Sequence, residues 1–149
     1  MRYFEDFHVG EHATLGSHAI TRDEILAFAR QFDPQPFHVD EERAKASIYG
    51  GLIASGWHTA SLMMRLIVDG WANDTAGMGS PGVDDLRWLV PVRPGDTLTA
   101  SITVREVTPS TRRTDRGSVH SLCELRNQDG QVVLRAIGIN IVARRPAAG

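Results

Sequence analysis

The chain has 149 residues, 42% hydrophobic and 23% charged, which suits one ordinary domain with a sizeable core. Its 16 basic residues against 18 acidic ones give a formal charge of −2, so no nucleic-acid partner is expected. A single cysteine, Cys123, excludes an internal disulfide and a cysteine zinc cluster.

The opening, Met1-Arg2-Tyr3-Phe4-Glu5-Asp6, is charged almost at once and lacks the apolar segment of a signal peptide, so a cytoplasmic protein is expected. His8-Val9-Gly10-Glu11-His12 matches H-x-x-E-H by letters. Zinc-protease chemistry needs both histidines on one face of a stable helix, and Gly10 opposes one, so the segment reads as an exposed turn. A strand is expected next, around residues 12–20. Thr21 followed by Glu24 forms a capping-box pattern, and Ile25, Phe28, Ala29 and Phe32 share one face, which predicts a helix over 22–32. Pro34 ends it. A compact polar loop, Asp33-Pro34-Gln35-Pro36-Phe37-His38, precedes a short helix over about 40–46, and Gly50-Gly51 breaks the chain again.

From Ser55 or Gly56 to about Trp71 the residues are apolar on nearly all sides, as in a helix buried against something large. His58, Arg65 and Asp69 interrupt the apolar stretch 52–72, which therefore does not read as a membrane span. Gly77-Met78-Gly79-Ser80-Pro81-Gly82 fits G-x-G-x-x-G. That motif binds a pyrophosphate only between a strand and a helix N-terminus, and here the order is reversed, so a flexible loop is expected. Strands are predicted over 83–90, 97–107, 118–126 and 131–143. Leu98, Ala100, Ile102 and Val104 alternate with polar neighbours, and Asp129-Gly130 marks a hairpin. Arg112, Arg113 and Arg116 lie in a solvated loop where a phosphate contact is the sharper alternative. The tail, Arg144 to Gly149, reads as loose. The fold class is α+β: one domain over 1–149, with an antiparallel sheet, its last four strands expected as a meander, wrapped around a long buried central helix. Its open sheet edges could pair with a partner subunit.

The loop from Asp33 to His38 stands apart. Two prolines stiffen a segment that holds an acid and an imidazole five positions apart, and proton transfer needs such groups within reach of one reacting atom. Histidine is the side chain suited to exchange protons near neutral pH. The same residues also fit a helix terminator and a satisfied, partly buried histidine.

Phe28, Asp33, Pro36, Phe37 and His38 resemble the signature of the MaoC-like, R-specific enoyl-thioester hydratases: an aromatic residue, then D-x-N-P-apolar-H. The resemblance continues through Gly50-Gly51-Leu52-Ile53-Ala54-Ser55-Gly56, which opens the central helix. It extends to Leu89-Val90-Pro91-Val92-Arg93-Pro94-Gly95-Asp96-Thr97-Leu98, similar to the family's P-V-x-x-G-D-x-L. Gln35 stands where the family has Asn and is counted among the substrate contacts.

The resemblance implies a hot-dog fold, a homodimer or higher homo-oligomer, and reversible hydration of a trans-2-enoyl thioester to the (R)-3-hydroxyacyl thioester. The acyl group would ride on coenzyme A or an acyl carrier, with no other cofactor. In that chemistry His38 serves as base for the water. Asp33 helps hold the water and protonates the α-carbon, and the Gly56 backbone N–H receives the thioester oxyanion. Trp57 and Met64 are candidates to line the acyl slot, and Gly82 and Val83 to let the pantetheine approach the backbone. A thioesterase and a non-catalytic acyl-thioester-binding subunit are the alternatives, because a shared fold does not fix the chemistry.

Overall fold

The computed structural model describes residues 1–148. Its five strands are β1 (His12–Ala19), β2 (Gly82–Trp88), β3 (Thr97–Pro109), β4 (Arg116–Arg126) and β5 (Val132–Ala143). The helices are α1 (Arg22–Phe32), α2 (Pro36–Val39), α3 (Glu41–Lys45) and α4 (Gly56–Gly70), with single 3-10 turns at Phe4–Asp6 and Ala72–Asp74. All strands pair antiparallel in one sheet of order β1-β3-β4-β5-β2.

Local chemistry accounts for the helix boundaries. The Thr21 hydroxyl accepts the Glu24 N–H at 3.1 Å and starts α1. Only half of the expected capping box forms there, since the Glu24 carboxylate turns to His18 at 2.8 Å. Asp40 caps α3 by accepting the N–H groups of Glu42 and Arg43. The segment expected as a loop contains a helical turn, α2, with Pro36 at its first position, where a missing N–H costs nothing.

Alternation along the strands builds the core. Leu98, Ala100, Ile102 and Val104 of β3, Val119, Cys123 and Leu125 of β4, and Val133, Leu134, Ala136 and Val142 of β5 are all buried. Each large aliphatic side chain among them contributes about 1.5–3 kcal/mol by leaving water. Burial also pushes the Cys123 thiol up to about 11, which leaves it inert. Against this layer α4 buries Met63, Leu66 and Ile67.

The helix is not apolar-packed on every side, as its composition suggests. Trp57 and Met64 are 58% and 50% exposed, because one sheet covers one face of a helix and leaves the other open. None of the helices among the described residues is long and apolar enough to cross a membrane.

Three expectations are corrected. Strands β3, β4 and β5 form the expected meander, but β2 pairs with β5 at the far edge instead of joining β3. Residues 89–96 carry the chain back across, held where Leu89 N–H donates to Val133 O and Ala54 N–H donates to Val92 O. The Gly77–Gly82 segment is pinned rather than flexible: Met78 N–H donates to Ile141 O, and Ile141 N–H donates to Gly79 O. It leads into a strand and offers no helix terminus for a pyrophosphate.

The tail is not loose at its start. Arg144 N–H donates to Asp115 O at 2.8 Å, and the Arg145 guanidinium holds Asp6 at 2.7 Å. Residue 149 lies outside the described residues. In the H-x-x-E-H segment, Arg2 takes the Glu11 carboxylate at 2.6 Å and Thr103 takes His12 at 2.8 Å.

The C-terminal end of α4 lies on β1, where a bulge at Gly16 (φ 122) bends the strand. A Cβ at Gly70 would stand 2.9 Å from the Leu15 carbonyl oxygen. Gly70→Ala is therefore expected to push helix and strand apart and cost about 1–3 kcal/mol, read by urea denaturation. An unchanged midpoint would show that this contact does not set the helix position.

Candidate active site

Helix α1 ends where Asp33 N–H donates to Ala29 O, and Gln35 N–H then donates to Asp33 O at 2.8 Å. This tight turn, followed by α2, sets His38 beside Asp33. His38 Nε2 lies 3.3 Å from Asp33 Oδ2, with both side chains largely withdrawn from solvent. The other ring nitrogen, Nδ1, is 2.8 Å from the Ile53 carbonyl oxygen. A carbonyl only accepts, so Nδ1 carries a proton, and when the ring is neutral Nε2 presents its lone pair toward Asp33. Ile53 N–H in turn donates to Phe37 O at 3.1 Å, so two hydrogen bonds clamp this pair of segments together.

Two side chains orient the carboxylate. Ser55, fully buried, donates its hydroxyl to Asp33 Oδ2 at 2.7 Å, and Gln35 Nε2 donates to Oδ1 at 2.7 Å. Burial pushes the Asp33 carboxyl up, but the bonds from Ser55 and Gln35 and the neighbouring His38 outweigh it and hold it below its ordinary value of 3.8. Ser55 is also the N-cap of α4, its hydroxyl accepting the Trp57 N–H at 3.3 Å. One buried hydroxyl therefore joins the acid to the start of the central helix.

At that start, the Gly56 N–H makes no hydrogen bond among the described residues. It sits at the positive end of the helix dipole, where an anion is favoured. A Cβ at Gly56 would lie 2.5 Å from the Trp88 indole, and Trp88 Nε1–H donates to Gly56 O at 2.7 Å. Glycine here permits the indole to lie directly on the helix entrance.

A cleft of about 500 Å³ opens over these groups. It brings together Asp33, Gln35, His38, Gly56 and Trp57, five of the residues singled out from sequence. Three others lie elsewhere. Met64 is two turns further along α4 on its exposed face, since eight residues of helix advance about 12 Å. Gly82 and Val83 begin β2, while the cleft lies at its other end, at Trp88. Phe28, the aromatic residue of the resemblance, packs its ring flat on buried His58 at 4.7 Å instead of lining the cleft.

Ser55, Trp88, Tyr49 and the crossing segment Leu89–Val92 were missed. Ser55 carried a readable signal, a serine ahead of a helix. Trp88 carried none beyond its place in a strand. Among the described residues no group of three or more His, Cys, Asp or Glu side chains is placed to hold a metal ion.

Because the Asp33 carboxyl titrates lower folded than unfolded, it contributes stability above its ordinary value of 3.8 that is lost as pH falls through the folded value. Ser55→Ala removes a bond to the charged form. The expected result is an Asp33 carboxyl shifted upward in a carbon-detected NMR titration, and an unmoved titration would remove Ser55 from the network.

Known proteins are similar to this chain. A family model described as MaoC like domain matches residues 7–122. "Uncharacterized protein YdeM" of Bacillus subtilis is 32% identical over 125 residues, 83% of this chain and 86% of that protein. The (R)-specific enoyl-CoA hydratase of Rhodospirillum rubrum is 32% identical over 111 residues, 73% of this chain and 74% of its own. The crystal structure of a MaoC-like dehydratase from Rhodospirillum rubrum superposes with a TM-score of 0.92 at 44% identity, covering 98% of this chain and 99% of that one.

Proposed function

The chain belongs to the MaoC-like domain family and has its hot-dog fold, and from that premise we propose that it reversibly hydrates trans-2-enoyl thioesters to (R)-3-hydroxyacyl thioesters. The observation that carries the proposal is the Asp33–His38 pair, 3.3 Å apart, in one cleft with the unpartnered Gly56 N–H. The relative named (R)-specific enoyl-CoA hydratase supports the same reaction class.

The chemistry follows from which atoms face the cleft. A water between His38 Nε2 and Asp33 Oδ2 donates one O–H to each, since both are acceptors. Its oxygen lone pair is then free to attack the β-carbon of the enoyl group. His38 Nε2 takes a proton as the C–O bond forms, and the electron pair of the double bond moves toward the thioester carbonyl. The resulting oxyanion meets the Gly56 N–H and the dipole of α4. The proton taken by His38 Nε2 passes to Asp33 Oδ2, 3.3 Å away, and from there to the α-carbon as the carbonyl re-forms. One water thus supplies the hydroxyl on the β-carbon and the hydrogen on the α-carbon, both delivered from one side of the double bond. No cofactor is needed beyond coenzyme A or an acyl carrier as part of the substrate.

The active form is a homodimer paired through β2. That strand is a sheet edge, and Val83, Trp88 and Leu89 along it are exposed. An antiparallel copy centred between Asp85 and Leu86 sets Asp84 opposite Arg87 and Val83 opposite Trp88, twice over. The edge is thus complementary to itself in charge and in apolar surface.

With crotonyl-CoA, loss of the enoyl absorbance without release of thiol and with the (R)-3-hydroxy product is the expected outcome. Thiol release would mark a thioesterase instead. Asp33→Asn and His38→Gln should each keep the circular dichroism of the parent and lose about 10²–10⁴ in turnover. Near-parental turnover in either variant would refute the assignment. Light scattering on a sizing column should return twice the 16.4 kDa of the chain, and Val83→Lys should shift it toward the monomer.

A further inference from the structure

The buried histidine of α4 takes no part in the proposed chemistry. His58 is 6% exposed, and its ring lies flat on Phe28 of α1, 7° from parallel. Its Nδ1 is buried without a hydrogen-bond partner among the described residues. A neutral ring can leave that nitrogen as a bare lone pair. A protonated ring carries N–H on both nitrogens, and the N–H at Nδ1 would then have no acceptor.

The position of the stack gives this ring its reach. His58 follows Ser55 by three residues, within the first turn of α4. Phe28 precedes Asp33 by five residues, on the last turns of α1. The stack and the Ser55–Asp33 bond therefore join the same two helices, roughly one turn apart.

Among the described residues two titratable groups act on the ring: Glu24 of α1 and His18 of β1, bonded to each other at 2.8 Å. Glu24 stands four residues before Phe28, one turn away on the same face of α1. A His58 cation would thus find a carboxylate one turn from the ring on which it rests. Burial pushes the His58 imidazole below its ordinary value of 6.5; Glu24 opposes that shift and His18 adds to it. Because the imidazole titrates lower folded than unfolded, its contribution to stability is complete above 6.5. That contribution is lost as pH falls through the folded value.

We propose that His58 is an acid-sensitive switch: on taking up a proton its ring leaves Phe28 for the Glu24 carboxylate, α1 slackens on α4, and the Ser55–Asp33 bond is released. The core beneath stays in place, since Met63, Leu66 and Ile67 are buried further along α4. The switch rests on the hydratase proposal only for its effect on turnover.

The test follows three NMR signals through a pH titration of the full chain. They are the His58 ring, the Asp33 carboxyl and the Trp88 indole N–H, which donates to Gly56 O. The background is His38→Gln, which removes the histidine beside Asp33. The three signals should move together as pH falls below 6.5, with the far-UV circular dichroism unchanged. Adding His58→Phe keeps a ring that can stack but takes up no proton, and the Asp33 and Trp88 signals should then stay fixed over the same range. His58→Leu, which also cannot titrate, repeats the comparison. With His38 present and crotonyl-CoA as substrate, His58→Phe should keep kcat within twofold of the parent at pH 7.5. One pH unit below the His58 midpoint it should exceed the parent about tenfold.

A His58 ring that takes up its proton while the Asp33 and Trp88 signals stay fixed overturns the switch. So does a ring that stays neutral until the chain unfolds, or equal shifts with and without His58. Coupled signals in a protein that hydrates no enoyl thioester would sustain the switch and sink the hydratase.

Discussion

The hydrogen bond from Ser55 to Asp33 is the contact on which the site depends. The serine must cap α4 and the aspartate must end α1, so a 2.7 Å bond between them, beside the stacking of Phe28 on His58, fixes the relative position of the two helices. It also holds the carboxylate ionised against the cost of burial. A buried charge without such donors would be expensive, and the acid would then take up a proton. His38 is placed by an independent pair of bonds to the segment just before Ser55. Acid, base and helix terminus are thus referenced to the same four residues, 53–56.

The sheet contributes indirectly. Its edge strand β2 delivers Trp88 to the helix entrance, and the crossing segment 89–96 forms the opposite wall before returning to β3. That crossing is itself anchored: Arg93 N–H donates to Asp96 Oδ2, and the Arg93 guanidinium reaches the Tyr49 carbonyl at 2.5 Å. A cleft wall made of an irregular segment is stable only where its backbone groups find partners, and here they do. The remaining face of the cleft, with Trp57, Trp88 and Leu89 exposed around it, is open to solvent.

Much of this was legible along the chain. The α1 boundaries followed from Thr21, Pro34 and the spacing of Ile25, Phe28 and Ala29. The strands followed from alternation, most plainly in β3. Asp33 and His38 stood out by their spacing on a proline-stiffened loop, and the family resemblance implied the roles of Gln35, Gly56 and Trp57. Met64 lies two turns beyond the cleft along α4, since nearness to a helix start places a residue only roughly along the axis. Gly82 and Val83 lie at the other end of β2 from the cleft of the same chain, a placement that the meeting of a glycine loop and a strand does not reveal.

By itself, then, the sequence determined the elements, the acid–imidazole pair and the capped, glycine-led helix, since each is set by interactions within a few residues. Only the tertiary structure decided that Ser55 bonds the acid, that Trp88 covers Gly56, that β2 crosses to the far edge, and that Arg144 and Arg145 are tied to the N-terminal segment and the β3–β4 turn. These contacts join residues 22, 32 and up to 140 positions apart. Partners so distant leave no mark on local periodicity or propensity, because burial and chain crossing bring them together only once the sheet has closed on the helix.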